Sequence, residues 1–135
     1  MKIKNVLLIE NCDMDAILIK ESLQENGEIC NIHTLEDGFE AVLQIQSLLE
    51  HNSIEVPDLI IANEDLVMIN GENIISKMKG LSNFYIPVII LTSGGDNDPP
   101  QFNGQTCCFI NKPLEVQKFI GTFRDIKNNW LTAIN

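Results

Sequence analysis

Residues 57–79 read "PDLIIANEDLVMINGENIISKMK". Leu59, Ile60, Ile61 and Ala62 form a continuous apolar run of the kind that a parallel sheet buries on both faces. The run stops on Asn63, Glu64 and Asp65, and a loop carrying Asn70-Gly71 leads into a helical pattern expected at 72–79. A strand that ends on a polar side chain and feeds a helix is the unit from which α/β proteins build clefts. Here that polar residue is an asparagine, with neither charge nor useful nucleophilicity.

The same rhythm runs outward in both directions. A strand is expected at 5–9 ("NVLLI"), then a helix at 13–25 with Met14, Ile17, Leu18 and Leu23 as its apolar face, ending at Asn26-Gly27. An alternating strand at 29–35 precedes a helix at 37–51 with Phe39, Val42, Leu43, Ile45 and Leu49 turned inward. Strands follow at 86–91 ("IPVIIL") and 107–110. A closing helix within 115–131 lines up Phe119, Ile120, Phe123, Ile126 and Trp130. Five strands alternating with helices predict a doubly wound α/β fold with a parallel sheet. The alternating second strand suits an edge and the apolar strands suit the centre, which gives the order 2-1-3-4-5 and a cleft at the carboxyl ends of strands 1 and 3. One segment breaks the rhythm: "SGGDNDPPQFNGQT" at 93–106, whose glycines and Pro99-Pro100 leave a short or irregular fourth helix.

A length of 135 residues suits one domain spanning 1–135. The net charge of −10 repels phosphate backbones and anionic headgroups, which argues against nucleic acid and membrane as partners. The apolar run at 6–9 is too brief for a secretory leader or a span, and Cys12, Cys30, Cys107 and Cys108 lack CxxC spacing. A cytoplasmic protein with reduced cysteines is expected, Cys107 and Cys108 being buried in their strand.

The strand ends collect chemistry. Strand 1 delivers Glu10 and Asn11, strand 3 Asn63, strand 4 Thr92 and Ser93, and strand 5 Lys112 followed by Pro113. Singly each has an ordinary explanation: Thr92 as a cap, Lys112 as a solvated lysine. Jointly they place a carboxylate, two amides, a hydroxyl and an ammonium around one cleft.

With "VLLIEN", "PDLIIAN", "GENII", "IPVIILTS" and "CFINKP" at these spacings, the chain resembles the CheY-like receiver domain of two-component response regulators over essentially its whole length. The closing "NNWLTAIN" is similar to the tail of stand-alone receivers that serve bacterial phytochrome-type kinases. The resemblance implies an acidic pair after strand 1 and an aspartate after strand 3 that bind Mg²⁺. It implies a phosphoryl group accepted by that aspartate from a histidine kinase, and a Thr/Ser and a Lys on the phosphoryl oxygens. Carried over by position, Glu10 keeps the first acid, Asn11 stands in place of the second, and Asn63 stands at the phosphoacceptor. Thr92 and Lys112 match, and Phe109 matches the aromatic switch position. Partner contact is implied at the fourth helix, strand 5 and the last helix. A histidine kinase or another signalling protein is the expected partner, with a homodimer through strand 5 and the last helix as a further use of that face. Trp130 and Leu131 are candidate anchors there.

An amide has no anionic oxygen with which to attack phosphorus. Mg²⁺ prefers carboxylate oxygens, so with amides at Asn11 and Asn63 only a weak residual site at Glu10 is expected, and no cofactor. Lys112 is left to bond the Asn63 amide oxygen or to pair with Glu10. A phosphorylation-independent adaptor, not an enzyme, is the favoured reading. The alternative is a haloacid-dehalogenase-like phosphatase using Asp13 and Asp15. It places those acids past the strand end, lacks an acidic pair after strand 4 and leaves no room for a cap. Asp13 and Asp15 suit the start of the first helix instead. A Cys12 phosphatase loop would need an arginine where Leu18 stands, and an FMN phosphate would meet three acids in "ENCDMD".

Overall fold

The computed structural model describes residues 3–24, 30–69, 72–92, 107–113 and 115–128. Five parallel strands form one sheet: β1 (Lys4–Ile9), β2 (Cys30–Leu35), β3 (Leu59–Asn63), β4 (Val88–Thr92) and β5 (Cys107–Asn111). Their spatial order is β2-β1-β3-β4-β5, the expected doubly wound arrangement. Four helices are described: α1 (Asp13–Leu23), α2 (Gly38–Glu50), α3 (Ile74–Lys79) and α4 (Val116–Ile126). The expected irregular segment at 93–106, Ser93 included, lies outside the described residues, as do Asn26-Gly27, Asn70-Gly71, Trp130 and Leu131.

Period-two alternation divides the sheet's side chains into two cores. On one face Val6, Leu8, Leu59, Ile61, Ile89 and Leu91 pack with Ala16, Ile19 and Leu23 of α1 and with Phe119, Phe123 and Ile126 of α4. On the other, Leu7, Ile9, Ile60, Ala62, Val88 and Ile90 pack with Ala41 and Ile45 of α2 and with Ile74, Ile75 and Met78 of α3. The central strands β3 and β4 are buried along their whole length, which explains their unbroken apolar runs. Phe119 and Phe123 add a tilted ring pair, centroids 4.9 Å apart, under the α1–α4 layer.

Four details differ from the expectations above. In α1 the buried positions are Ala16, Ile19, Ser22 and Leu23, while Met14 and Ile17 face solvent at 71% and 53% exposure. Ala16, Ile19 and Leu23 share one helix face at spacings of three and four, and that face packs on the sheet, so positions 14 and 17 fall on the open flank. Leu43 of α2 is likewise exposed at 66%, because Ala41 and Ile45 carry the contact. α3 starts at Ile74 rather than 72, since Glu72–Asn73 pairs antiparallel with Met68–Ile69. The Asn73 side chain then caps the helix by accepting from Ile75 N and Ser76 N. Of the strand-5 cysteines, Cys108 is half-buried against the α1–α4 core, and the Cys107 side chain lies outside the described residues. Cys12, Cys30 and Cys108 are not joined in disulfides, and the Cys30 thiol lies 3.9 Å from Leu23 O.

Candidate functional site

Glu10 follows the last residue of β1 and is almost wholly buried, 1% exposed. Its backbone N–H remains in the ladder, donating to Leu35 O at 3.0 Å. Four donors engage its carboxylate. Lys112 Nζ lies 2.6 Å from Oε1, while Asn63 Nδ2 (2.7 Å), Asn11 N (3.1 Å) and Cys12 N (3.3 Å) donate to Oε2. Each carboxylate oxygen offers about two acceptor sites, so three donors crowd Oε2 while the ammonium holds Oε1.

Asn63 ends β3 at 8% exposure. Its Oδ1 accepts from Asp65 N at 3.0 Å, which folds the chain into the short 3-10 turn Glu64–Leu66. The orientation of the amide is dictated by its neighbours: Asp65 N can only donate, and the Glu10 carboxylate can only accept. Asn63 therefore spans from the Glu10 carboxylate to the following loop with both of its polar atoms in use.

Lys112 leaves β5 with its backbone N–H donating to Thr92 O at 2.7 Å. Its ammonium contacts a second carboxylate, Asp15 Oδ2, at 2.7 Å. Burial works to lower the lysine's affinity for its proton. Hydrogen bonds to Asp15 and Glu10, with the attraction of both charges, outweigh it and hold the pKa above the ordinary lysine value. Of the two partners expected for Lys112, the structure selects Glu10 rather than the Asn63 oxygen, and adds Asp15.

Alternation along the strands explains which residues meet. Glu10, Asn63 and Lys112 continue the rows of Leu8, Ile61 and Ile110, which face α1 and α4. Thr92 and Asn111 continue the rows of Ile90 and Phe109, which face α2 and α3. Thr92 is buried, and its hydroxyl donates to the side-chain oxygen of Asn111, its register partner on β5. It is therefore not gathered around Glu10. Asn11 is exposed, and only its backbone N–H reaches Glu10. Phe109 is half-buried against the α2–α3 core. Asp15, expected only to open the first helix, joins the cleft as well. It occupies the first turn of α1, on the face that carries Glu10 and Lys112. The signal for this in the sequence is the spacing from Asp15 to the buried Ile19, four residues apart on one helix face.

No family model matches the chain. Over 129 residues it is 26% identical to the probable methanogenesis regulatory protein FilR2 of Methanothrix harundinacea, covering 93% of this chain and 83% of that protein. It is 23% identical over 134 residues to the response regulator Rcp1 of Synechocystis sp., covering 97% and 91%. The crystal structure of the phosphorylated cyanobacterial phytochrome response regulator RcpA shares the fold, with a TM-score of 0.76 at 20% identity over 99% of this chain and 98% of that one.

The chain has the fold of CheY-like response regulator receiver domains.

In this cleft the residues present do not suit Mg²⁺. The Glu10 oxygens face an ammonium and an amide N–H₂, and the one Asn63 oxygen is turned to the loop backbone. Among the described residues no cluster of three or more His, Cys, Asp or Glu is arranged to hold a metal. A groove of about 470 Å³ lies toward the amino-terminal ends of β1 and β2, lined by Asn5, His33, Gln44 and Leu48 among others, and none of the cleft residues borders it. Among the described residues no helix is long and apolar enough to cross a membrane.

Proposed function

We propose that this receiver domain signals by protein–protein contact, without aspartyl phosphorylation. What carries the reading is the bond from Asn63 Nδ2 to Glu10 Oε2, an amide donor at the position where an acceptor carboxylate would be required. The pocket is satisfied internally, so Glu10, Asn63 and Lys112 hold it in one fixed state without a metal or a phosphoryl group. Thr92, bonded to Asn111, is engaged within the sheet. The partner is a histidine kinase or another signalling protein of the cytoplasm, and the domain contributes a binding surface rather than a catalytic step.

The test is incubation with Mg²⁺ and acetyl phosphate, or with beryllofluoride, followed by intact mass and NMR. The wild type is expected to form no adduct, and a stoichiometric adduct would overturn the proposal. The paired Asn11→Asp, Asn63→Asp variant is expected to bind Mg²⁺. If it does not, the assignment of these two positions is wrong.

A further inference from the structure

Asp15 and Glu10 approach one point from two different elements, and a lysine from a third element fills that point. Nζ of Lys112 stands 2.6 Å from Glu10 Oε1 and 2.7 Å from Asp15 Oδ2. These are short, charge-assisted contacts. Glu10 is at the end of β1, Asp15 in the first turn of α1, and Lys112 just past β5, so the ammonium joins both sides of the cleft. Its side chain is 13% exposed, that of Asp15 27%, and that of Glu10 fully covered.

Taking the phosphate-free reading as the basis, we propose that Lys112 is a tethered cation that replaces a divalent ion in this cleft, and that Asp15 is the positioning residue that holds it there. Two carboxylates brought this close repel unless a positive charge lies between them. A metal would supply that charge at the expense of shedding water, which Mg²⁺ does reluctantly. An ammonium on the same chain supplies it at a high effective concentration and at all cation levels. The Asn63 amide completes the arrangement: it donates to the remaining Glu10 oxygen and adds no further negative charge to attract a competing ion. The pocket's geometry is thereby independent of metal supply as well as of phosphate. Asp15 lies at a helix start, where an acid is also favoured by the dipole, so its role must be separated from that contribution.

The test uses Mn²⁺ and Mg²⁺ alone, with no phosphodonor, on the intact chain. Lys112→Met is expected to bind Mn²⁺ about tenfold tighter than wild type or better, with paramagnetic broadening of the amides of Glu10, Asn11 and Asp15. Equal affinity in the two proteins, or broadening elsewhere, would overturn the proposal. A second arm keeps it testable should Lys112→Met fail to fold. In ¹⁵N-edited spectra the Lys112 ammonium protons are expected to exchange slowly in the wild type. Asp15→Asn should speed that exchange several-fold, while Asp13→Asn, at the same helix start, should leave it unchanged. Equal effects of the two substitutions would reduce Asp15 to a helix-start acid and overturn its positioning role. A phosphoryl adduct on the wild type would strike the phosphate-free reading instead, and is read from a separate experiment.

Discussion

The Asn63 amide nitrogen lies 2.7 Å from Glu10 Oε2, in a cleft where Glu10 is 1% and Asn63 8% exposed. At that separation an amide donor and a carboxylate attract, whereas two carboxylates would repel strongly in so dry a place. The identity of residue 63 therefore decides whether the Lys112 ammonium balances the cleft or a further cation is demanded.

Asn63→Asp is expected to replace this hydrogen bond by a like-charge contact. Without divalent ions the variant should lose on the order of 2–4 kcal/mol of stability at neutral pH, through the lost bond and the new repulsion. Mg²⁺ should recover part of that loss, while leaving the wild type unchanged. Urea denaturation of both proteins with and without Mg²⁺ measures it, and an Asn63→Asp variant as stable as wild type in chelator would contradict the geometry.

Lys112 gives a pH signature. Its folded-state pKa is held above the ordinary 10.5 by Asp15 and Glu10, against the opposing effect of burial. Below the unfolded value both states carry the proton and the contribution is complete. It is lost as the pH rises through the folded value. The stability difference between wild type and Lys112→Met should thus be level through neutral pH and shrink above about 10.5, as read from denaturant midpoints across an alkaline series.

The cap of α3 frames the loop that follows Asn63. Asn73 Oδ1 accepts from Ile75 N at 2.9 Å and from Ser76 N at 3.1 Å. Asn73→Ala should cost about 1 kcal/mol, with Asn73→Asp near neutral. Chemical denaturation checks the first, and unchanged stability in the alanine variant would show the cap to be idle.

The exposed flank of α1 separates two similar-looking residues. Met14→Lys should change stability by less than about 0.5 kcal/mol, because Met14 is 71% exposed. Ile19→Ala, at a position with no exposure, should cost about 2–5 kcal/mol. Thermal melts of the pair test the orientation of the helix directly.

Much of this molecule follows from local pattern. The apolar runs at Leu59–Asn63 and Val88–Thr92, the alternation of Cys30–Leu35 and the intervening helical periods suffice for the sheet order, because strand burial leaves its trace residue by residue. Spacing to the strand ends likewise locates Glu10, Asn63, Thr92 and Lys112, and the asparagine at 63 is itself sequence information. What the linear chain leaves open is direction. Lys112 is within reach of several acceptors, and only the packing of α1 against β1 and β5 brings Asp15 to its ammonium, across 97 residues of sequence. Thr92 turns to Asn111 because the register of β4 on β5 sets them side by side, on the face away from Glu10. In α1, docking on the sheet and α4 buried the face of Ala16, Ile19 and Leu23 and left the equally apolar Met14 and Ile17 outside. Residue type and period are written locally, but a side chain's partner is selected by the minimum of a three-dimensional packing and charge balance, and that exists only once the elements are assembled.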